Sequence, residues 1–151
     1  MVIYVDADAC PVKNEVLRVA ERHQILVYMV SNSFMRLPES SLIQRVVVSN
    51  EFDSADNLIA ERVEKNDLII TSDIPLAARC IKKRGEVVTP NGHFFDEQNI
   101  GNALAMRDLK SQLREMGEIL DQKGSFDKTD RSRFLQTMEE RLQALKRKTG
   151  R

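Results

Sequence analysis

The run Val2-Ile3-Tyr4-Val5 passes directly into the acidic turn Asp6-Ala7-Asp8-Ala9 and then into Cys10-Pro11-Val12-Lys13. Four apolar residues, mostly β-branched or aromatic, are too few for a helix and read as a fully buried strand of a parallel sheet. Proline suits the first turn of a helix, where its fixed φ is already correct and its missing N–H is not needed. A strand that turns into a helix begins a βα unit, and Asp6 falls at the carboxyl end of that strand. Ligands of open α/β sheets bind along that edge. The opening residues therefore constrain both the architecture and the place to look for chemistry.

The same alternation continues through residue 92. A helix is expected from Pro11 to His23, with Val12, Val16, Leu17 and Ala20 on one face. A second apolar run, Ile25 to Val30, ends in Ser31-Asn32-Ser33, and Phe34 to Ser41 reads as loop. Arg45 to Ser49 gives a third strand. Ser54 is placed to cap a helix striped by Ala55, Leu58, Ile59 and Val63. Asp67 to Thr71 is a fourth strand; Asp73 and Pro75 open the next helix, which Gly85 ends. Glu86 to Thr89 is a fifth, stopped by Pro90-Asn91-Gly92. Alternating strands and helices imply an α/β fold: a mainly parallel sheet with helices on both faces. Beyond Gly92 the pattern is helical, with a long helix from Gln98 to Met116 and a polar break from Gln122 to Asp127. A last helix carries Leu135, Met138, Leu142 and Leu145. The 151 residues suit one domain, an α/β core over 1–92 with a helical extension over 98–148 packed on it.

The formal net charge of +0 argues against an overall electrostatic grip on nucleic acid. The balance is uneven, however: residues 1–101 hold 11 basic and 15 acidic side chains, residues 102–151 hold 12 and 8. The second part is thus the one suited to face a polyanion, or simply a solvated helical surface. The N-terminal apolar run is too short for a signal peptide, no run approaches membrane-spanning length, and Cys10 and Cys80 lack metal-ligand spacing. A cytoplasmic protein without membrane contact is the expectation.

If the strands are parallel, Asp6 and Asp8 follow the first, Asp53 and Asp56 the third, and Asp73 the fourth, all at one rim. Oxygen ligands from several loops are what Mg²⁺ or Mn²⁺ requires. Asp6, Asp8, Asp56 and Asp73 are the candidate ligands; Asp6, Asp56 and Asp73 are the candidate catalytic residues. Helix capping and first-turn electrostatics account equally well for Asp56 and Asp73 taken alone. Asp67 begins its strand, at the opposite edge, and is excluded. Lys13, Ser33, Ser72 and Arg79 fall near the rim and are the candidates for phosphate contact.

The motifs Asp6-Ala7-Asp8-Ala9-Cys10-Pro11-Val12-Lys13, Asp53-Ser54-Ala55-Asp56 and Ile70-Thr71-Ser72-Asp73-Ile74-Pro75-Leu76-Ala77 resemble those of the YaiI/YqxD family of uncharacterised bacterial proteins. The first 90 or so residues also resemble PIN-like nucleases. That group places an Asp after the first strand, an acidic residue in a mid-domain helix and an Asp in a Thr-x-Asp turn. Asp6, Asp56 and Asp73 match these places; a further acidic residue often found in that site has no clear counterpart, and Asp8 or Asp53 is the candidate to replace it. The resemblance implies carboxylates holding Mg²⁺ or Mn²⁺ for cleavage of RNA or another single-stranded nucleic acid. Two other readings stay open. Val5-Asp6-Ala7-Asp8 has the strand-then-Asp-x-Asp form of haloacid-dehalogenase-type phosphatases, with Asp6 as nucleophile, but Ile70 to Leu76 supplies only Asp73 where that type needs two carboxylates. A non-catalytic RNA- or protein-binding module, contacting its partner through basic C-terminal helices, is the third.

Overall fold

Ile3, Val5, Leu68 and Ile70 have no exposed surface, and neither do Val27, Met29, Val30, Val87 and Val88. Side chains that alternate across a strand are buried on both faces only if layers cover the sheet on both sides, the situation of parallel strands. The computed structural model describes residues 1–51, 53–115 and 126–150 and has this arrangement. Among them six strands form one sheet: β1 (Ile3–Asp6), β2 (Val27–Ser31), β3 (Ile43–Val47), β4 (Leu68–Ile70), β5 (Glu86–Val88) and β6 (Phe94–Phe95). Their spatial order is β3-β2-β1-β4-β5-β6. All neighbours are parallel except β5 and β6. The expected α/β class holds.

Five helices accompany the strands: α1 (Lys13–His23), α2 (Ser54–Arg62), α3 (Ile74–Lys82), α4 (Ile100–Glu115) and α5 (Lys128–Thr149). One core joins Ile3, Val5, Leu68 and Ile70 to Val16 of α1 and to Phe134, Met138, Leu142 and Leu145 of α5. The other joins Tyr4, Ile69 and Val87 to Ile59 of α2 and to Leu76, Ala77 and Cys80 of α3. The four α5 side chains are wholly buried, which puts the hydrophobic effect behind the docking of that helix at roughly 1.5–3 kcal/mol per large side chain. Asp127 caps α5 in a capping box with Asp130. Gly92 fixes the register of the β5–β6 turn against this helix: its φ is +91° and a Cβ there would meet Arg133 Cγ at 2.5 Å. Its carbonyl accepts from Thr137 Oγ1 at 2.9 Å.

Several expectations shift. β3 lies two residues earlier than the Arg45–Ser49 run, because pairing with β2 sets Ile43 opposite Val27 and Val46 opposite Val30. Ser54 is the first helical residue of α2, and Asp53 occupies the cap position at φ 62° without a side-chain capping bond. Helix α1 begins at Lys13, two residues past Pro11. The antiparallel β6 was not expected. The predicted end of the long helix at Met116 and the start of the break at Gln122 lie outside the described residues. No described helix is long and apolar enough to cross a membrane.

Candidate functional site

The strand order reverses between β1 and β4: the chain winds outward through β2 and β3, then returns to start β4 on the other side of β1. Open α/β sheets bind ligands at such a point, beyond the carboxyl ends of the strands. Here β1 ends in Asp6, and β4 runs into Thr71-Ser72-Asp73. The buried Thr71 hydroxyl donates to Asp6 Oδ2 at 2.9 Å and accepts from the Asp73 N–H at 3.0 Å. Asp73 in turn caps α3, its Oδ1 accepting from Leu76 N at 2.9 Å. Asp56 lies in the first turn of α2, near enough to Asp73 and Asp6 to feel their charge. The capping duty of Asp73 therefore coexists with a place in the carboxylate cluster.

The electrostatics of this cluster are unfavourable as they stand. Burial raises the Asp6 carboxyl above its ordinary value; the Thr71 hydrogen bond offsets part of this, and Asp73 and Asp8 add repulsion. Asp56 is pushed up to about 7, by burial first and then by Asp73, Asp6 and Asp53. A carboxyl at that value holds a proton for about half of the time at neutral pH. Among the described residues, Asp6, Asp8, Asp53, Asp56 and Asp73 form no ion pair with Lys, Arg or His. Nor do three His, Cys, Asp or Glu side chains of the described residues come together closely enough to hold a metal ion. Asp6 is held beside Asp73 through Thr71. Asp8 is exposed and turned aside, its two oxygens accepting from the Asn32 N–H at 2.9 and 3.2 Å.

The candidate phosphate contacts separate. Lys13 lies against the acidic turn, its Nζ donating to the Ala7 carbonyl at 3.1 Å. Arg79 ties α3 to α2 by donating to Asn57 Oδ1 at 2.9 Å. Ser33 is exposed in the loop after β2, and its carbonyl accepts from Ser31 Oγ at 2.6 Å. Ser72 is exposed and lies with Asp73 in a cleft of about 560 Å³. The far wall of that cleft carries Arg107 and Lys110 of α4, with Asn91 and His93 from the β5–β6 turn. Sequence reasoning missed this wall; the only available signal was two basic residues three apart on a helix, which fixes a common face but not what it faces. The Cys10 thiol is buried, and burial raises its pKa, so it is not a ready nucleophile.

Fold and site together define an α/β protein with clustered carboxylates at the switch point of a parallel sheet. The chain belongs to the YaiI/YqxD family, whose model matches residues 4–144. A UPF0178 protein of Rhizobium etli is 52% identical over 151 residues, covering 98% of this chain and 97% of its own. One from Agrobacterium fabrum is 52% identical over 137 residues, or 91% and 90% of the two chains. A third, from Bradyrhizobium diazoefficiens, is 47% identical over 146 residues, or 97% and 87%. No solved structure matches the chain.

Proposed function

We propose that the protein is a metal-dependent, PIN-like nuclease that hydrolyses phosphodiester bonds in RNA or another single-stranded nucleic acid. The observation that carries this reading is the set of carboxylates gathered at the switch point, with Asp6 tied to the Asp73 turn through Thr71 and Asp56 pushed up to about 7 by burial and by the charges of Asp73 and Asp6. A site that traps a proton among carboxylates fits a cation in the same place, since either relieves the repulsion. Asp6, Asp56 and Asp73 would hold Mg²⁺ or Mn²⁺ after drawing closer together than they lie here, with Asp8 further out. Such an ion supplies an activated water and charge for the leaving oxygen.

The chain's own residues do the positioning. Thr71 orients Asp6, while the cap at Leu76 N fixes Asp73. Asp56 would give up its proton on loading, so metal affinity should rise with pH through about 7. The cleft beside Asp73 offers cationic side chains to a phosphodiester.

The test incubates the purified chain with single-stranded RNA, single-stranded DNA and p-nitrophenyl phosphate, with Mn²⁺ or with EDTA. The expected result is metal-dependent cleavage of a nucleic acid, lost in Asp6→Asn and in Asp73→Asn. Monoester hydrolysis with an aspartyl-phosphate trapped at Asp6 would make the protein a phosphatase instead. Binding of RNA without cleavage would leave a binding module.

A further inference from the structure

We infer that the cleft between α4 and the β5–β6 turn is a nucleotide subsite for a single strand, with Arg107 and Lys110 holding its backbone phosphates next to Asp73. The strand it receives is the substrate of the nuclease reading, on which the inference rests.

Arg107 and Lys110 are three residues apart on α4, hence on one face, and both line the cleft that contains Asp73 and Ser72. Both are exposed, and neither forms an ion pair with any described residue. This differs from the basic residues of α5: Arg131 pairs with Glu15, and Arg141 and Lys148 with Glu86. Those three α5 cations are engaged inside the fold, whereas Arg107 and Lys110 of α4 line the cleft that holds Asp73. Two cations three residues apart suit consecutive phosphates of a flexible backbone, and attraction of this kind is independent of sequence.

The remaining surface suits a base. Met106 is 53% exposed on the same stretch of α4, and it lines the cleft together with Phe95 and Pro75. Apolar and aromatic faces beside a cationic track are how single strands are held, because an unpaired base can lie against them and a paired one cannot. The opposite wall is stiffened by the turn itself: the His93 N–H donates to Thr89 Oγ1 at 3.0 Å, and the Thr89 hydroxyl bonds Asn91. A volume of about 560 Å³ is in the range of small-ligand sites and suits a nucleotide unit.

The experiment measures fluorescence anisotropy of a short labelled oligouridine with the full chain in EDTA, across about 50 to 200 mM salt. Wild type should bind more weakly as salt rises. The double variant Arg107→Ala, Lys110→Ala should bind about tenfold more weakly at the low-salt end and lose about 1.4 from the log–log slope, about 0.7 per phosphate. Met106→Ala should weaken binding while leaving the slope intact. Lys65→Ala with Arg84→Ala, in a recess at the opposite edge of the sheet, should change nothing. The same strand annealed to its complement should bind less tightly. Unchanged binding by a double variant that melts like wild type would overturn the subsite, as would tighter binding of the duplex. Mn²⁺-dependent cleavage that persists in the double variant with unaltered KM would overturn it while leaving the nuclease reading standing. Binding through Arg107 and Lys110 without cleavage in any metal would do the reverse.

Discussion

The two edges of the sheet bury acidic side chains in opposite ways. At the amino edge, Asp67 accepts from Val2 N at 2.9 Å and from Glu64 N at 2.8 Å. Glu86, nearby at the start of β5, is held by Arg141 at 2.9 Å and Lys148 at 3.2 Å. At the carboxyl edge, Asp6 has a hydroxyl and Asp56 has another carboxyl. Burial raises Asp67 as it raises Asp6 and Asp56, and both edges offer hydrogen-bond donors, but only the amino edge supplies cationic side chains, at Glu86. A carboxylate that the fold has satisfied belongs to the fold. One that the fold has crowded and left without countercharge is available to something from outside.

Metal titration breaks or sharpens this contrast most strongly. If the carboxyl edge holds Mn²⁺, melting should shift upward by the equivalent of roughly 2.7 kcal/mol when the ion is at about a hundredfold excess over Kd. Asp6→Asn should abolish the shift, and Asp67→Asn should retain it. Calorimetry with millimolar Mn²⁺ reads both, and an unmoved wild type would remove the metal from the comparison.

The amino edge responds next, and to substitution instead of to metal. Asp67→Ala leaves the N–H groups of Val2 and Glu64 without their acceptor, a loss of about 2 kcal/mol in urea denaturation. Glu86→Ala should cost less, about 1 kcal/mol, because its partners are partly exposed and Arg141 stays stacked on Phe94 at 4.2 Å. Neither loss should depend on Mn²⁺. A metal-dependent loss at Asp67 would erase the distinction between the edges.

The contrast also marks how far a sequence of this kind can be read. Asp6 was visible because a strand ends at it, and Asp67 was set aside because a strand begins at it; periodicity alone assigns an edge to each. The parallel sheet was legible from the same runs. What periodicity does not carry is pairing across distant segments. Phe94 and Phe95 make a strand only because Val88 and Val87 lie opposite them. Lys13 and Arg79 fall near the rim in sequence, yet their charged groups go to Ala7 and Asn57. Arg107 and Lys110, thirty-odd residues beyond Asp73, come to its side only through the packing of α4 on α3. Ser54 gave way to Asp53 as the cap because the chain enters α2 through a left-handed residue, a conformation Asp tolerates and Ser adopts less readily.

The last contrast is one of slope. With its folded value at about 7 against an ordinary 3.8, Asp56 binds a proton in the native state over a range where the unfolded chain does not. Its contribution to stability is therefore fully present below about pH 4 and is lost as pH rises through about 7. Asp6 acts in the same direction. In EDTA the melting temperature of wild type should decline across this window once other titrations are subtracted, and Asp56→Asn should flatten the decline. The amide has no charge to develop, so the variant should match wild type at low pH and exceed it above neutrality. Saturating Mn²⁺ should flatten the wild-type curve as well, since the ion replaces the proton that the rising pH removes. Melts of both proteins between pH 5 and 8, with and without the ion, give four curves. If Asp56→Asn shows the same decline as wild type, the proton does not reside in the carboxylate cluster, and the two edges do not differ in the way their hydrogen bonds suggest.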